Sequence, residues 1–165
     1  MTDLLTPVRL KRAHVREGFT SGADELDEWL VKYAWQNQRA NNATTYVSVA
    51  ATRVVGYYAI TVAGVAREDS PESMRKGTPN QLGCLLLARL AVDESFQKQG
   101  LGRALLADCL RRAAHLALEV GIPAVLVHCR DETARSFYLK HAEFLASPVD
   151  AMQLMLPIKT IKASM

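Results

Sequence analysis

Two closely spaced glycines, Gly100 and Gly102, lie between an apolar segment and the start of an amphipathic one. Glycine lets a backbone approach a ligand closely. The first amides of a helix have no partner within the helix, and the helix dipole adds partial positive charge beside them. Lys98 and Arg103 place two cations in the same stretch. This combination predicts an anion site suited to a pyrophosphate.

The spacing of these glycines differs from two common phosphate-binding motifs. The dinucleotide fingerprint needs a third glycine, and Leu105 stands at that position. The chain also lacks a GxxxxGK[ST] segment, which argues against a P-loop nucleotide-binding protein. Two glycines at a helix start can also serve packing alone, so both interpretations stay open at this point.

The segments on either side of the glycines predict the elements that position them. Residues 82–92 are continuously apolar, which is typical of a strand covered on both faces. Residues 100–120 have apolar positions at helical spacing, and a glycine follows them. A strand, a short turn and a long helix are therefore expected in this order.

The rest of the chain alternates between strand and helix patterns. In the N-terminal half we expect a strand at 8–11, a helix from 24 to about 41, and an antiparallel hairpin of 44–50 and 54–62. In the C-terminal half we expect a loop at 67–81, a strand at 124–129 and a short helix at 132–140. Two closing strands are expected at 144–145 and 152–156. This order predicts an α/β protein with a mixed, mostly antiparallel central sheet and helices on both faces.

Composition excludes several classes of protein. The 165 residues are 49% hydrophobic and 22% charged, with a net charge of +3, which excludes a disordered chain, a collagen-like repeat and a disulfide mini-protein. The charge is compatible with an anionic ligand without proving a nucleic-acid partner. Cys84, Cys109 and Cys129 form no CxxC pair, so we expect buried free thiols and a cytoplasmic location. Residues 1–5 do not read as a signal peptide, and no apolar run is long enough to span a membrane.

The segment Gln97-Lys98-Gln99-Gly100-Leu101-Gly102 resembles the Q/R-x-x-G-x-G/A signature of the GNAT N-acetyltransferase superfamily. The resemblance extends over the predicted element order and implies a single domain over residues 1–165. It implies that the loop amides bind the pyrophosphate of acetyl-CoA, while the preceding strand binds the pantetheine arm. The cofactor-binding residues implied are Leu90, Ala91, Val92, Gln97, Lys98, Gln99, Gly100, Leu101, Gly102, Arg103, Thr133, Ala134 and Phe137.

A narrower resemblance is to the GNAT toxins of type II toxin–antitoxin modules. It is carried by segments 19–22, 26–30, 53–59, 88–93, 134–138 and 147–148. It implies a toxin that acetylates the α-amino group of aminoacyl-tRNA and stops translation. It also implies a homodimer and a ribbon-helix-helix antitoxin that binds operator DNA. The chain departs from the pattern at Ser21, where cysteine is usual, and at Ala142 or Glu143, where glycine is usual.

Tyr138 is the predicted catalytic acid, because the resemblance places it beside the CoA sulfur. The ordinary pKa of a tyrosine, about 10, is close to that of an alkyl thiol, so the phenol can protonate a departing thiolate. A tyrosine that only packs the short helix is the alternative. Ser136 lies nearby, but nothing in the pattern marks it as an activated nucleophile.

The predicted strand at 82–92 carries no Asp, Glu or His that could act as a general base. A lysine amine is neutral in roughly one molecule per thousand at pH 7, whereas an α-amino group is neutral in about a tenth. The missing base therefore favours an α-amino acceptor, with a water chain or another residue as the alternative source of the base. A GNAT enzyme acting on a small amine or a protein N-terminus, and a CoA-binding module without catalysis, remain as alternatives.

Two further sets of residues have side chains that could contact ligands. Arg75, Lys76 and Arg89 are the predicted substrate-binding residues. Solvated surface charge is the alternative for the first two, and binding of the antitoxin is the alternative for Arg89. The four histidines have no metal-ligand spacing, so no metal is expected. Among these histidines, His128 falls on a predicted buried strand and is expected to be a hydrogen-bonded core histidine.

Overall fold

A computed structural model describes residues 5–165, so most of the segment used to argue against a signal peptide lies outside the described residues. The strands are β1 (Val8–Arg9), β2 (Thr44–Ala50), β3 (Arg53–Ala66), β4 (Gln81–Val92), β5 (Ala124–His128), β6 (Leu145–Ala146) and β7 (Gln153–Pro157). The helices are α1 (Asp24–Lys32), α2 (Ala34–Arg39), α3 (Leu101–Leu116), α4 (Glu132–His141) and α5 (Ile158–Ala163). The strands form a seven-stranded sheet in the order β1-β2-β3-β4-β5-β7-β6, which confirms the predicted mixed α/β class.

The chain divides into two compact units, one up to Thr61 with Ala88–Cys109 and the other of Val62–Leu87 with Leu110–Met165. In the first, β2 and β3 form the predicted antiparallel hairpin, with Thr44 opposite Ile60 and Ala50 opposite Arg53. The core of this unit is formed by buried side chains from β2, β3, β4, α1 and α2, together with residues next to β1 and α1. These core residues are Leu10, Phe19, Trp29, Leu30, Ala34, Val47, Val54, Tyr57, Ala59 and Ala91.

The predicted N-terminal helix is two helices. The helix is interrupted at Tyr33, whose backbone (φ −121°) departs from the helical region between α1 and α2. The buried amide of Gln38 then donates to Leu10 O at 2.8 Å and accepts from Thr45 N at 3.0 Å, which joins α2 to the first two strands. Hydrophobic spacing continues through the break, so the sequence pattern alone could not reveal it.

The second unit is built around β5. This strand runs parallel to β4, with Leu85 opposite Val125, and antiparallel to β7 over its whole length. Its core contains Val65, Leu82, Cys84, Ala124, Leu126 and Met155. The short helix α5, which begins directly after Pro157, was not predicted.

Two further predictions need correction, and one is confirmed. α3 ends at Leu116, earlier than predicted. The expectation that His128 lies in the core is wrong, because it is the last residue of β5 and its side chain is exposed. All three cysteines are buried thiols that form no disulfide, as expected. None of the helices among residues 5–165 is long and apolar enough to cross a membrane.

Candidate active site

The turn between β4 and α3 is organised around the buried carboxylate of Asp93. Its Oδ2 accepts from the amide of Thr20 at 3.0 Å and pairs with Arg53 at 3.2 Å. Its Oδ1 accepts from the amide and hydroxyl of Ser95, at 3.0 and 2.6 Å. One side chain therefore joins the end of β4 to the turn that follows it, to β3 and to the segment before α1.

These hydrogen bonds also set the protonation of Asp93. Burial alone would raise its pKa, but the bonds from Ser95, Thr20 and Arg53 act in the opposite direction and lower the pKa to about 2. The carboxylate is therefore charged at neutral pH, and charged acceptors form the stronger hydrogen bonds. Asp93 is suited to hold the turn, and its low pKa makes it a poor proton acceptor.

The loop before α3 has two residues in the left-handed backbone region, Lys98 (φ 62°) and Gly100 (φ 85°). Successive backbone N–H groups in a turn can point to one side and form an anion-binding concavity. α3 then begins at Leu101, so its unpaired first amides follow directly. Lys98, Gln99, Gly100 and Arg103 are exposed and Gly102 is half-buried, so this loop is open to a ligand.

The side chain of Gln97 supports this loop from the protein side. Its amide nitrogen donates to Val92 O at 2.9 Å and to Ser21 O at 2.8 Å. Ser21 is itself held by Asp27, which accepts from its hydroxyl at 2.6 Å and from its amide at 3.0 Å. The sequence predicts Gln97 only as a cofactor contact, and it does not mark Ser21, Asp27 or Asp93 as residues that position the loop. The hydrogen bonds between Asp93 and Thr20 and between Gln97 and Ser21 each join residues more than seventy positions apart, so no local sequence pattern indicates them.

The start of α3 lies closely against β3 at Gly56. A Cβ atom at Gly56 would lie 3.0 Å from Leu101 Cδ2 and 3.1 Å from Leu105 Cδ1. Both leucines are buried and follow directly from the loop. The absence of a side chain at Gly56 therefore sets how deeply the first turn of α3 can pack.

Arg89 is the charged residue of the otherwise apolar β4. Its guanidinium lies 4.3 Å from the centroid of the Trp29 ring, which is within the range of a cation–π interaction. Trp29 in turn stacks on Tyr57 at 6.0 Å. Arg89 is half-buried, so the structure gives it a role in joining β4 to α1 beside any role in binding substrate.

Within the second unit, Tyr138 lies on α4 and is 7% exposed. Its ring makes edge contacts with Phe137 at 5.3 Å and Phe144 at 5.7 Å. α4 begins after Asp131, whose carboxylate accepts from the amide of Ala134 at 2.8 Å and caps the helix. Thr133 beside it is exposed. The aromatic packing holds the phenol in a restricted orientation.

The predicted substrate residues Arg75 and Lys76 lie in the loop between β3 and β4. The Arg75 guanidinium donates to Ser70 O at 3.0 Å and to Glu68 O at 3.2 Å, so it binds the loop's own backbone. Lys76 is exposed. Among residues 5–165 there is no group of three or more His, Cys, Asp or Glu side chains that could hold a metal ion.

Comparison with known proteins assigns the family. A family model described as an acetyltransferase (GNAT) domain matches residues 41–141. A relative from Mycobacterium tuberculosis, described as a tRNA-acetylating toxin, is 37% identical over 163 residues, which cover 99% of this chain and 98% of the relative. The chain belongs to the GNAT acetyltransferase family. This confirms the fold and the enzyme class that the Gln97–Gly102 segment predicted.

Several solved structures match over nearly the whole chain. A tyrosine-to-phenylalanine mutant of KacT has a TM-score of 0.91 at 26% identity, covering 99% of this chain and 100% of that one. AtaT complexed with acetyl-methionyl-tRNAfMet has a TM-score of 0.89 at 26% identity, covering 97% and 98%. A tyrosine-to-phenylalanine mutant of AtaT bound to acetyl-CoA and the C-terminus of the antitoxin AtaR has a TM-score of 0.83 at 26% identity, covering 98% of each chain.

Proposed function

We propose that this protein is a toxin that transfers the acetyl group of acetyl-CoA to the α-amino group of aminoacyl-tRNA and thereby stops translation. The observation that carries the proposal is its similarity, over almost its entire length, to a tRNA-acetylating toxin. The alternative acceptors, a small amine or a protein N-terminus, have no comparable support.

The loop between β4 and α3 fits the pyrophosphate of acetyl-CoA. Its backbone is turned at Lys98 and Gly100, and the first amides of α3 have no partner within the helix, so they can donate to the phosphate oxygens. The main chain of Leu90, Ala91 and Val92 would hold the pantetheine arm. Thr133, Ala134 and Phe137, on α4 of the second unit, are further proposed cofactor contacts. Gln97 contributes by holding the loop in shape.

Acetyl-CoA supplies an activated thioester carbonyl. In the proposed reaction the neutral amine attacks this carbon, a carbon–nitrogen bond forms and the carbon–sulfur bond breaks. Tyr138 donates its phenolic proton to the departing sulfur, and solvent returns a proton to the phenol while taking one from the amine. The part of β4 in the first unit carries only the cation Arg89, which cannot accept a proton. The absence of a base there fits an amine that is already partly neutral.

The substrate and partners follow from the same proposal. Lys76 is the exposed cation among the three predicted substrate residues. Arg75 holds its own loop by donating to Ser70 O, and Arg89 packs over the Trp29 ring. We infer a ribbon-helix-helix antitoxin that neutralises the enzyme and carries it to operator DNA, and a homodimeric enzyme. Because aminoacyl-tRNA is the proposed substrate, the proposed location is the cytoplasm.

The proposal is tested by offering labelled acetyl-CoA with three acceptors, namely charged tRNA, a peptide with a free N-terminus and a polyamine. Deacylated tRNA is the control. We expect label on charged tRNA alone, with release by mild base together with the amino acid. Label on the peptide or the polyamine and none on tRNA would replace the proposed acceptor. Tight binding of acetyl-CoA without transfer to any acceptor would indicate a non-catalytic module.

A further inference from the structure

A surface cavity of 390 Å3 lies between β1, the residues that follow it and α2, in the first unit. Its rim carries four cations, Arg9, Lys11, Arg12 and Arg39, and Trp35 lines it together with them. We name this the basic pocket. Its volume falls in the range of about 300–1,000 Å3 that is usual for ligand sites. It contains none of the residues assigned above to acetyl-CoA or to the reaction.

Among residues 5–165, no carboxylate neutralises the charge of the basic pocket. All four cations are exposed, no carboxylate lines the cavity, and none of the four has a carboxylate partner among residues 5–165. The neighbouring His14 also lies in a positive electrostatic environment. Burial and the charges of Lys11 and Arg16 lower its pKa. Unpaired cations around a concave surface attract an anionic partner.

The pocket is also held in a fixed shape. Gln38 is buried beneath it and joins α2 to the backbone of Leu10 and Thr45. His14 Nδ1 accepts from the amide of Lys11 at 2.9 Å and closes the turn after β1. The side chain of Trp35 packs partly against the core. The cations therefore project from a supported surface.

We propose that the basic pocket binds the sugar-phosphate backbone of the tRNA substrate at a position separate from the reacting end. Three of the four cations are arginines, whose planar guanidinium groups bind phosphate oxygens in pairs. Trp35 offers an aromatic surface on which a base or ribose can stack. An acidic peptide would satisfy the charges but would leave the aromatic surface without a partner. This inference rests on the proposed function and adds a site that anchors the body of the tRNA.

The test compares the wild-type protein with the double variant Arg9→Ala/Arg12→Ala. The conservative variant Arg9→Lys/Arg12→Lys keeps the charge, and Lys159→Ala/Lys162→Ala removes two exposed charges from α5 as a matched control. The dissociation constant for deacylated tRNA is measured at several salt concentrations, and KM and kcat are measured for charged tRNA. Thermal unfolding verifies that each variant is folded.

We expect the double alanine variant to bind tRNA at least about tenfold more weakly at low salt. Its plot of log affinity against log salt should be less steep by about 1 for each phosphate group that the variant no longer binds. KM for charged tRNA should rise with little change in kcat, while KM for acetyl-CoA stays constant. The lysine variant should retain most of the slope, and the α5 control should match the wild type.

Three results would overturn the inference. The first is an unchanged affinity and salt slope in the double variant. The second is a rise in KM for acetyl-CoA alone, which would assign the pocket to the nucleotide of the cofactor. The third is loss of binding to a poly-glutamate peptide with tRNA binding intact, which would assign it to an acidic protein. If the wild-type enzyme acetylates no tRNA, the proposed function fails, and tRNA binding by the same variants still decides the assignment of the pocket.

Discussion

At the scale of single residues, Tyr138 combines a nearly buried phenol with aromatic neighbours that restrict its ring. Replacement by phenylalanine removes only the hydroxyl and leaves this packing in place. If the phenol protonates the departing sulfur, Tyr138→Phe should lower kcat by about 10²–10⁴-fold and leave the dissociation constant for acetyl-CoA unchanged. Tyr33→Phe, at an exposed tyrosine, is the matched control. Unchanged turnover in the Tyr138 variant would remove it from the mechanism.

Asp93 is the residue whose charge holds the turn before the loop. Asp93→Asn should destabilise the protein by about 1–3 kcal/mol, because a charged acceptor with four hydrogen bonds becomes a neutral one. Denaturant unfolding at pH 7 measures this difference. A variant as stable as the wild type would show that the hydrogen bonds contribute nothing to stability.

The same residue predicts a pH dependence. The pKa of Asp93 is about 2 in the folded protein, below its ordinary value of 3.8, so its contribution to stability is complete above about pH 4 and is lost as the pH falls towards 2. The stability gap between the wild type and Asp93→Asn should therefore narrow across this window. A gap that stays constant from pH 7 to pH 2 would contradict the assigned pKa.

At the scale of elements, the junction of the loop with α3 depends on backbone conformation. Gly100 has a φ of 85°, and an aspartate there would add both backbone strain and negative charge beside the proposed pyrophosphate. Gly100→Asp should abolish binding of acetyl-CoA in calorimetry. Gly77→Asp makes the same change at an exposed loop glycine with a φ of 76°, and it should leave cofactor binding intact. Normal affinity in the Gly100 variant would refute the assignment of the loop.

The packing of α3 on β3 gives a second prediction at this scale. Gly56→Ala would place a Cβ atom 3.0 Å from Leu101 Cδ2 and 3.1 Å from Leu105 Cδ1, so these two side chains at the start of α3 must give way by a few tenths of an ångström. We expect a loss of about 1–3 kcal/mol in stability together with weaker binding of acetyl-CoA. Gly83→Ala, also in a strand, has open space around its Cβ and should behave as the wild type. Equal behaviour of the two variants would show that the contact at Gly56 does not position α3.

Element types were largely predictable from sequence, whereas interruptions and long-range support were not. Continuous apolar character indicated β4 and β5, and helical spacing indicated α3, because these patterns follow directly from burial. The break at Tyr33 keeps the hydrophobic spacing, so it leaves no trace in the pattern. His128 follows the apolar residues of its buried strand, but the strand ends there and its side chain reaches solvent.

At the scale of the whole molecule, the glycine segment indicated the family and the loop, while the residues that support the loop became visible only in three dimensions. Gln97 is a predicted cofactor contact, and its side chain also supports the loop by donating to Ser21 O and Val92 O. The basic pocket is likewise lined by residues of β1 and α2, which are separated by more than twenty residues in the sequence. The sequence therefore indicates residues that can bind a ligand locally, whereas the long-range contacts that orient those residues are visible only in the folded structure.

The measurement that tests the central claim most directly is mass spectrometry of the 3′-terminal aminoacyl-adenosine. Charged tRNA is incubated with the protein and acetyl-CoA, and then digested with a nuclease that leaves the ester intact. Our account predicts a mass increase of one acetyl group located on the α-amino nitrogen, present with the wild type and strongly reduced with Tyr138→Phe. Aminoacyl-adenosine that keeps its original mass, while the protein binds acetyl-CoA normally, would contradict it.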